Sequence, residues 1–229
     1  MTDKAPIAVA LDAPDVETAA VWARAVTPYV SVLKVGLELF CRHGPDVVAA
    51  VRGGTGAAVF LDLKLHDIPA TVAGATKAVA RLKPRYVTVH ATGGSAMIEA
   101  AVHAAPDVRI AAVTILTSLS AGDLRTMGVP GDPLGAVRHL ASIAVGAGAR
   151  AIVCSPQEVG AVRQEVGPDI TLITPGVRPL GADAQDQARI ATPEQALAAG
   201  ADLLVIGRPI TGARDPGAAA AHIASSLRR

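Results

Sequence analysis

Short, mainly apolar runs alternate with longer amphipathic stretches from one end of the 229-residue chain to the other. The runs fall at 7–11, 32–35, 58–63, 86–89, 110–115, 151–153, 171–173 and 203–206, each too short for a helix. They are continuous rather than alternating, so both faces of each strand must be covered, as in a parallel sheet. Helical patterns occupy 15–26, 45–51, 70–82, 94–104, 133–147, 156–165, 193–199 and 217–227. Eight βα units of roughly 25–30 residues each have the size of a (β/α)8 TIM barrel. We therefore expect an α/β protein with one barrel domain over residues 1–229. A doubly wound open sheet is the competing architecture, but its Gly-rich turn has to follow a strand. Here Gly146 and Gly148, and the cluster Gly53, Gly54, Thr55 and Gly56, precede strands instead.

A barrel of this kind places its chemistry at the C-terminal ends of the strands. Polar residues gather there. The first strand ends at Asp12, the second at Lys34 and Gly36, and the third at Asp62, Lys64 and Asp67. The fourth ends at His90, the fifth at Thr117 and Ser118, the seventh at Pro175, Gly176, Val177 and Arg178, and the eighth at Gly207 and Arg208. Two connections leaving this rim, 116–132 and 176–192, are long for a compact domain, and we expect lids there.

The third strand carries the most specific pattern. Val59, Phe60 and Leu61 lead into Asp62 and Lys64, two residues apart, so an extended strand turns both side chains to one face. A buried carboxylate beside an ammonium is costly unless the two are paired. Taken alone, Asp-x-Lys could be a strand-end salt bridge. Asp67 adds a second carboxylate, and Ile68 and Pro69 open the next helix. Of the 21 basic residues only five are lysine, and two of those five, Lys34 and Lys64, stand at strand ends. An ammonium can give up a proton at working pH and a guanidinium cannot. Lysine where the chain habitually uses arginine points to chemistry.

Composition narrows the choice. A net charge of +1 offers no field for a polyanion, and one Trp, two Tyr and two Phe give little for bases to stack on, so nucleic acid is not an expected partner. No apolar stretch is long enough to span a bilayer. Asp12 interrupts the first apolar run, so it does not read as a signal segment. Cys41 and Cys154 read as two buried free thiols, and the expected location is cytoplasmic.

The sequence Asp62-Leu63-Lys64-Leu65-His66-Asp67-Ile68-Pro69 resembles the signature of the orotidine 5′-monophosphate decarboxylase family, bacterial type, and the likeness runs from Asp12 to Thr211. It implies a cofactor-independent decarboxylation of orotidylate to UMP with no metal. It also implies a tetrad of alternating charges at Lys34, Asp62, Lys64 and Asp67. By that resemblance Lys64 protonates the C6 carbanion and Asp62 sits beside the departing carboxylate. Asp12 and Lys34 bind ribose hydroxyls, and Thr117 and Ser118 meet the pyrimidine. Arg208, with Gly207 beside it, binds the 5′-phosphate. Arg178 and Gln187 reach phosphate and pyrimidine from the strand-seven connection, with Gln185 as the competing register. Asp67 and Thr71 serve the site of a second subunit, which implies a homodimer.

Two rivals share the barrel. A sugar-phosphate decarboxylase or aldolase with a magnesium-stabilised enediolate also carries Asp-x-Lys-x-x-Asp, but a Glu at the second strand end would favour the hard cation, and Lys34 stands there instead. A phosphosugar epimerase needs a His/Asp metal cluster, for which His66 and His90 are the rim candidates. We expect His90 to cap strand four by hydrogen bonding and His66 to pack beside the motif. A non-catalytic nucleotide sensor could use Arg208 but has no need of Lys64 among carboxylates.

Overall fold

The computed structural model describes residues 4–129, 132–178 and 191–227. Eight strands, β1 (Ala5–Ala10), β2 (Val30–Gly36), β3 (Ala58–Leu65), β4 (Tyr86–His90), β5 (Arg109–Val113), β6 (Ala151–Val153), β7 (Thr171–Thr174) and β8 (Leu203–Ile206), form a closed parallel barrel in sequence order. β8 returns to pair with β1 through Ile7–Leu204, Ala8–Val205 and Val9–Ile206. Around the barrel run α1 (Val16–Val26), α2 (Leu37–His43), α3 (Asp46–Arg52), α4 (Pro69–Ala80), α5 (Gly94–Ala104), α6 (Ala121–Thr126), α7 (Pro133–Gly146), α8 (Val159–Val166), α9 (Pro193–Ala198), α10 (Arg208–Thr211) and α11 (Pro216–Ser226). The expected (β/α)8 barrel is the observed one.

Several helix starts are written locally. Asp132-Pro133, Thr192-Pro193 and Asp215-Pro216 each pair a side-chain N-cap with a proline at the first helical position. The cap accepts from a backbone N–H three residues on, at 2.7 Å for Gly135 and 2.9 Å for Ala218. Such a cap contributes about 1 kcal/mol, and proline fits where no donor is needed.

Strand alternation divides the core into two parts. Ile7, Val9, Leu33, Val35, Val59, Leu61, Val87 and Val89 pack outward against the helices. Ala8, Val32, Phe60, Tyr86, Ala111, Ala151, Ile173 and Leu203 fill the lumen as a separate cluster. Within it Phe60 and Tyr86 meet edge to face at 5.8 Å and 72°. The lumen is therefore a plug, and what stands one step further along the inward-facing positions rests on an apolar floor.

Three expectations are corrected. A short helix within 116–132 was not expected: Ser120 and Asp123 form a capping box that starts α6 there. The seven-residue α2 was not expected, because only Leu39 of that stretch is buried and one anchor sets no period. Cys41, on α2, is exposed, while Cys154 is buried as expected. Among the described residues no helix is long and apolar enough to cross a membrane.

Candidate active site

Following the inward-facing positions toward the strand ends, apolar residues give way to charge. Val32 is succeeded by Lys34, Phe60 by Asp62, and Tyr86 by Thr88. These side chains emerge just above the plug. Lys64 Nζ donates to Asp62 Oδ1 at 2.8 Å. Lys34 Nζ lies 3.5 Å from Asp62 Oδ2 and 3.6 Å from Asp12 Oδ1, with its side chain only 8% exposed. The four form a row of alternating sign, Asp12, Lys34, Asp62, Lys64, whose formal charges cancel. Cancellation is what makes the burial of Lys34 tolerable. Gly36 is part of the arrangement, since a Cβ there would fall 2.7 Å from Asp12 Oδ1 and 2.9 Å from Lys34 Nζ.

Lys64 does not reach Asp62 by plain strand alternation. Its φ is +50°, in the left-handed region that an L-residue enters at a cost of about 1–3 kcal/mol. The register of β3 on β4 shifts at the same place: Leu61 pairs with Val87, and the next pair is Leu65 with Val89. Three residues of β3 thus face one residue of β4, Thr88. The Thr88 hydroxyl accepts from Lys64 N at 2.8 Å and lies 3.1 Å from Asp62 Oδ1, to which it donates. Sequence reasoning passed over Thr88. Its only signal was a polar residue inside the apolar run from Tyr86 to Val89.

Burial pushes the Asp62 carboxyl up, but the Lys34 and Lys64 charges, aided by the hydrogen bonds from Lys64 and Thr88, outweigh it. The group is held below the usual carboxylate range. His90, at the end of β4, is displaced downward by burial and by the nearby His66 and Lys64, against the pull of Asp62. Its side chain makes no capping hydrogen bond, contrary to expectation. It faces His66 instead, with ring centroids 5.4 Å apart. Cys154, buried and near Glu158, has its thiol pushed far up and is inert at neutral pH.

The row opens on a cavity of about 480 Å³ at the barrel mouth. Asp12, Lys34, Asp62 and Lys64 line it together with Thr117, Arg178, Gly207 and Arg208. Phe60, Val113, Val153, Ile173 and Val205 supply apolar surface. Arg178 is 8% exposed, and its Nε is buried with no hydrogen-bond partner among the described residues. Three expected site residues lie outside this cavity. Ser118, Asp67 and Thr71 are exposed and do not line it. Asp67 turns back on its own backbone, Oδ1 accepting from Ile68 N at 2.6 Å, and among the described residues it makes no ion pair within the chain. Within the chain the row ends on Asp12. Gln187 and its alternative Gln185 fall in 179–190, outside the described residues. No group of three or more His, Cys, Asp or Glu stands close enough to hold a metal among the described residues.

Comparison with known proteins gives a consistent result. Residues 5–223 match the profile of the family described as orotidine 5′-phosphate decarboxylase / HUMPS. A protein of Thermobifida fusca named orotidine 5′-phosphate decarboxylase is 69% identical over 225 residues, covering 98% of this chain and 97% of that one. One of the same name from Frankia casuarinae is 59% identical over 241 residues, covering 98% and 88%. The crystal structure of orotidine 5′-phosphate decarboxylase from Lactobacillus acidophilus superposes with a TM-score of 0.85 at 36% identity, covering 99% of this chain and all of that one.

Proposed function

The chain belongs to the orotidine 5′-phosphate decarboxylase / HUMPS family, and on that premise we propose that it is a carboxy-lyase converting orotidine 5′-monophosphate to UMP and carbon dioxide in pyrimidine biosynthesis. The observation that carries this reading is the neutral, fixed row Asp12–Lys34–Asp62–Lys64 above an apolar floor. Decarboxylation at C6 breaks the carbon–carboxylate bond and leaves its electron pair on a vinyl carbon with no conjugated sink. The protein must meet that charge with one already in position. The Lys64 ammonium stabilises the developing carbanion and then delivers its proton to C6. Asp62 orients Lys64 and lies beside the departing carboxylate. Asp12 and Lys34 take the ribose hydroxyls, Thr117 the pyrimidine, and Gly207 and Arg208 the phosphate, all of them lining the cavity. The buried Nε of Arg178, without a hydrogen-bond partner among the described residues, suits a ligand oxygen. Gln187 keeps its role as an expectation. The direct test incubates the purified protein with orotidylate and measures UMP and carbon dioxide; no product from a folded protein would overturn the proposal.

Arg208→Ala should raise KM by roughly 10- to 150-fold, as loss of a charge-assisted contact worth about 1.5–3 kcal/mol implies. It should lower kcat as well, because phosphate binding energy supports closure of the site around a distant carbon. Steady-state kinetics check both. Unchanged constants would move the phosphate site elsewhere.

The magnesium-dependent rival in the same barrel calls for carboxylate oxygens facing a cation. Two ammonium groups hold that ground here, at Lys34 and Lys64. Exhaustive chelation should therefore leave turnover intact. Loss on chelation, restored by magnesium, would favour the sugar-phosphate chemistry.

We further propose a homodimer in which Asp67 and Thr71 complete the site of the second subunit. Support comes from their placement: both stand on an exposed stretch around Ile68, itself 65% exposed, and away from their own chain's cavity.

A further inference from the structure

We infer that Thr88 is a positioning residue of the reaction, its hydroxyl setting both the left-handed backbone at Lys64 and the carboxylate that Lys64 addresses. The inference rests on the decarboxylase reading and deepens it. Thr88 is fully buried, sits on β4 rather than on the strand bearing the charges, and does not line the cavity. Off the cavity lining, it acts through its neighbours.

The geometry leaves it a specific task. Where β3 bulges, Lys64 N takes the Thr88 hydroxyl as its acceptor, at 2.8 Å. The same hydroxyl donates a hydrogen bond to Asp62 Oδ1, at 3.1 Å. One hydroxyl thus accepts from the backbone of the ammonium's residue and donates to the ammonium's partner. Asp62 Oδ1 receives Lys64 Nζ as well, at 2.8 Å, so backbone, hydroxyl, carboxylate and ammonium close a ring of contacts. Closed rings of this kind fix a side chain where a lone ion pair would let it swing. Removing the hydroxyl leaves Lys64 N without its acceptor and takes a donor from Asp62, while φ at +50° is no longer held by that bond.

A shift of about 1 Å in a reacting group can cost about 10²-fold in rate. Thr88→Val, which keeps the branched shape, should lower kcat about 10²-fold. Affinity for UMP should change less than about threefold, because ribose and phosphate are held elsewhere. Melting temperature should fall by a few degrees. Thr88→Ser should recover kcat to within about threefold of the parent. The acid limb of kcat supplies a readout that lost packing does not move. Asp62 is faced by Lys34 from β2, by Lys64 on its own strand, and by Thr88 and His90 from β4, while Asp12 acts on it through Lys34. Thr88 is the donor withdrawn, so the carboxyl becomes easier to protonate and the limb should move to higher pH in Thr88→Val and return in Thr88→Ser. Val87→Ala, on the helix-facing side of the same strand, is a control for lost stability and should keep the parental limb.

A Thr88→Val protein with kcat within about threefold of the parent overturns the inference. So does an unmoved acid limb, a serine variant as slow as valine, or UMP affinity falling as far as kcat. Absence of product from the parent protein would instead sink the decarboxylase reading, so the two failures are distinct.

Discussion

Replacing Lys64 by alanine is expected to lower kcat by about five orders of magnitude while leaving UMP affinity within tenfold of the parent. A positioned general acid contributes about 10²–10⁴-fold, and a fixed electrostatic donor about 10²–10³-fold. Lys64 is assigned both roles, and a loss near 10⁵ corresponds to about 7 kcal/mol of transition-state stabilisation. Binding should be spared because Arg208, Gly207 and Arg178, which also line the cavity, are left intact. Removing one cation leaves Asp62 with Lys34 at 3.5 Å, so its carboxylate is still paired and the barrel should fold. Release of carbon dioxide in single turnovers, beside a calorimetric titration with UMP, separates the two effects. Turnover within tenfold of the parent would remove Lys64 from the role of proton donor.

Mixing two dead proteins should restore activity. If Lys64 serves its own cavity and Asp67 that of the second subunit, Lys64→Ala and Asp67→Ala homodimers are both severely impaired. Heterodimers formed by subunit exchange then carry one site with both lesions and one with neither. Random exchange of equal amounts makes half the dimers mixed, each with one intact site of two, so about a quarter of parental activity should return. The motive is structural: Asp67 is exposed, bonded to its own Ile68 N, and absent from the cavity that Lys64 lines. If exchange is verified by mass and no activity returns, both residues act within one chain. Kinetics and mass spectrometry on the same mixture decide it.

The architecture was legible because a barrel repeats one local instruction. Each run such as 203–206 is a buried strand by its own apolar continuity, and Asp132-Pro133 or Asp215-Pro216 starts a helix by its own chemistry. Element ends were less legible. The fifth strand was expected to run to 115 and stops at Val113, because burial continues after strand pairing ends: Ile115 is 6% exposed but off the ladder. Short helices such as α2 and α6 present too few buried positions to set a period.

The sequence by itself determined the residues available for chemistry: Asp62, Lys64 and Asp67 in one segment, with lysine at positions 34 and 64 in a chain that otherwise favours arginine. Strand order then dictated that these would meet at one rim. Which charges touch was a tertiary decision. Asp67, three residues beyond Lys64, turns away, and Asp12, more than twenty residues before Lys34, ends the row instead. The contact between Asp62 and Lys64 also depends on a residue from another strand, since Thr88 accepts the backbone bond that lets Lys64 sit at positive φ. Local sequence encodes period and propensity, whereas a side-chain hydroxyl replacing a ladder bond exists only once β3 and β4 are side by side.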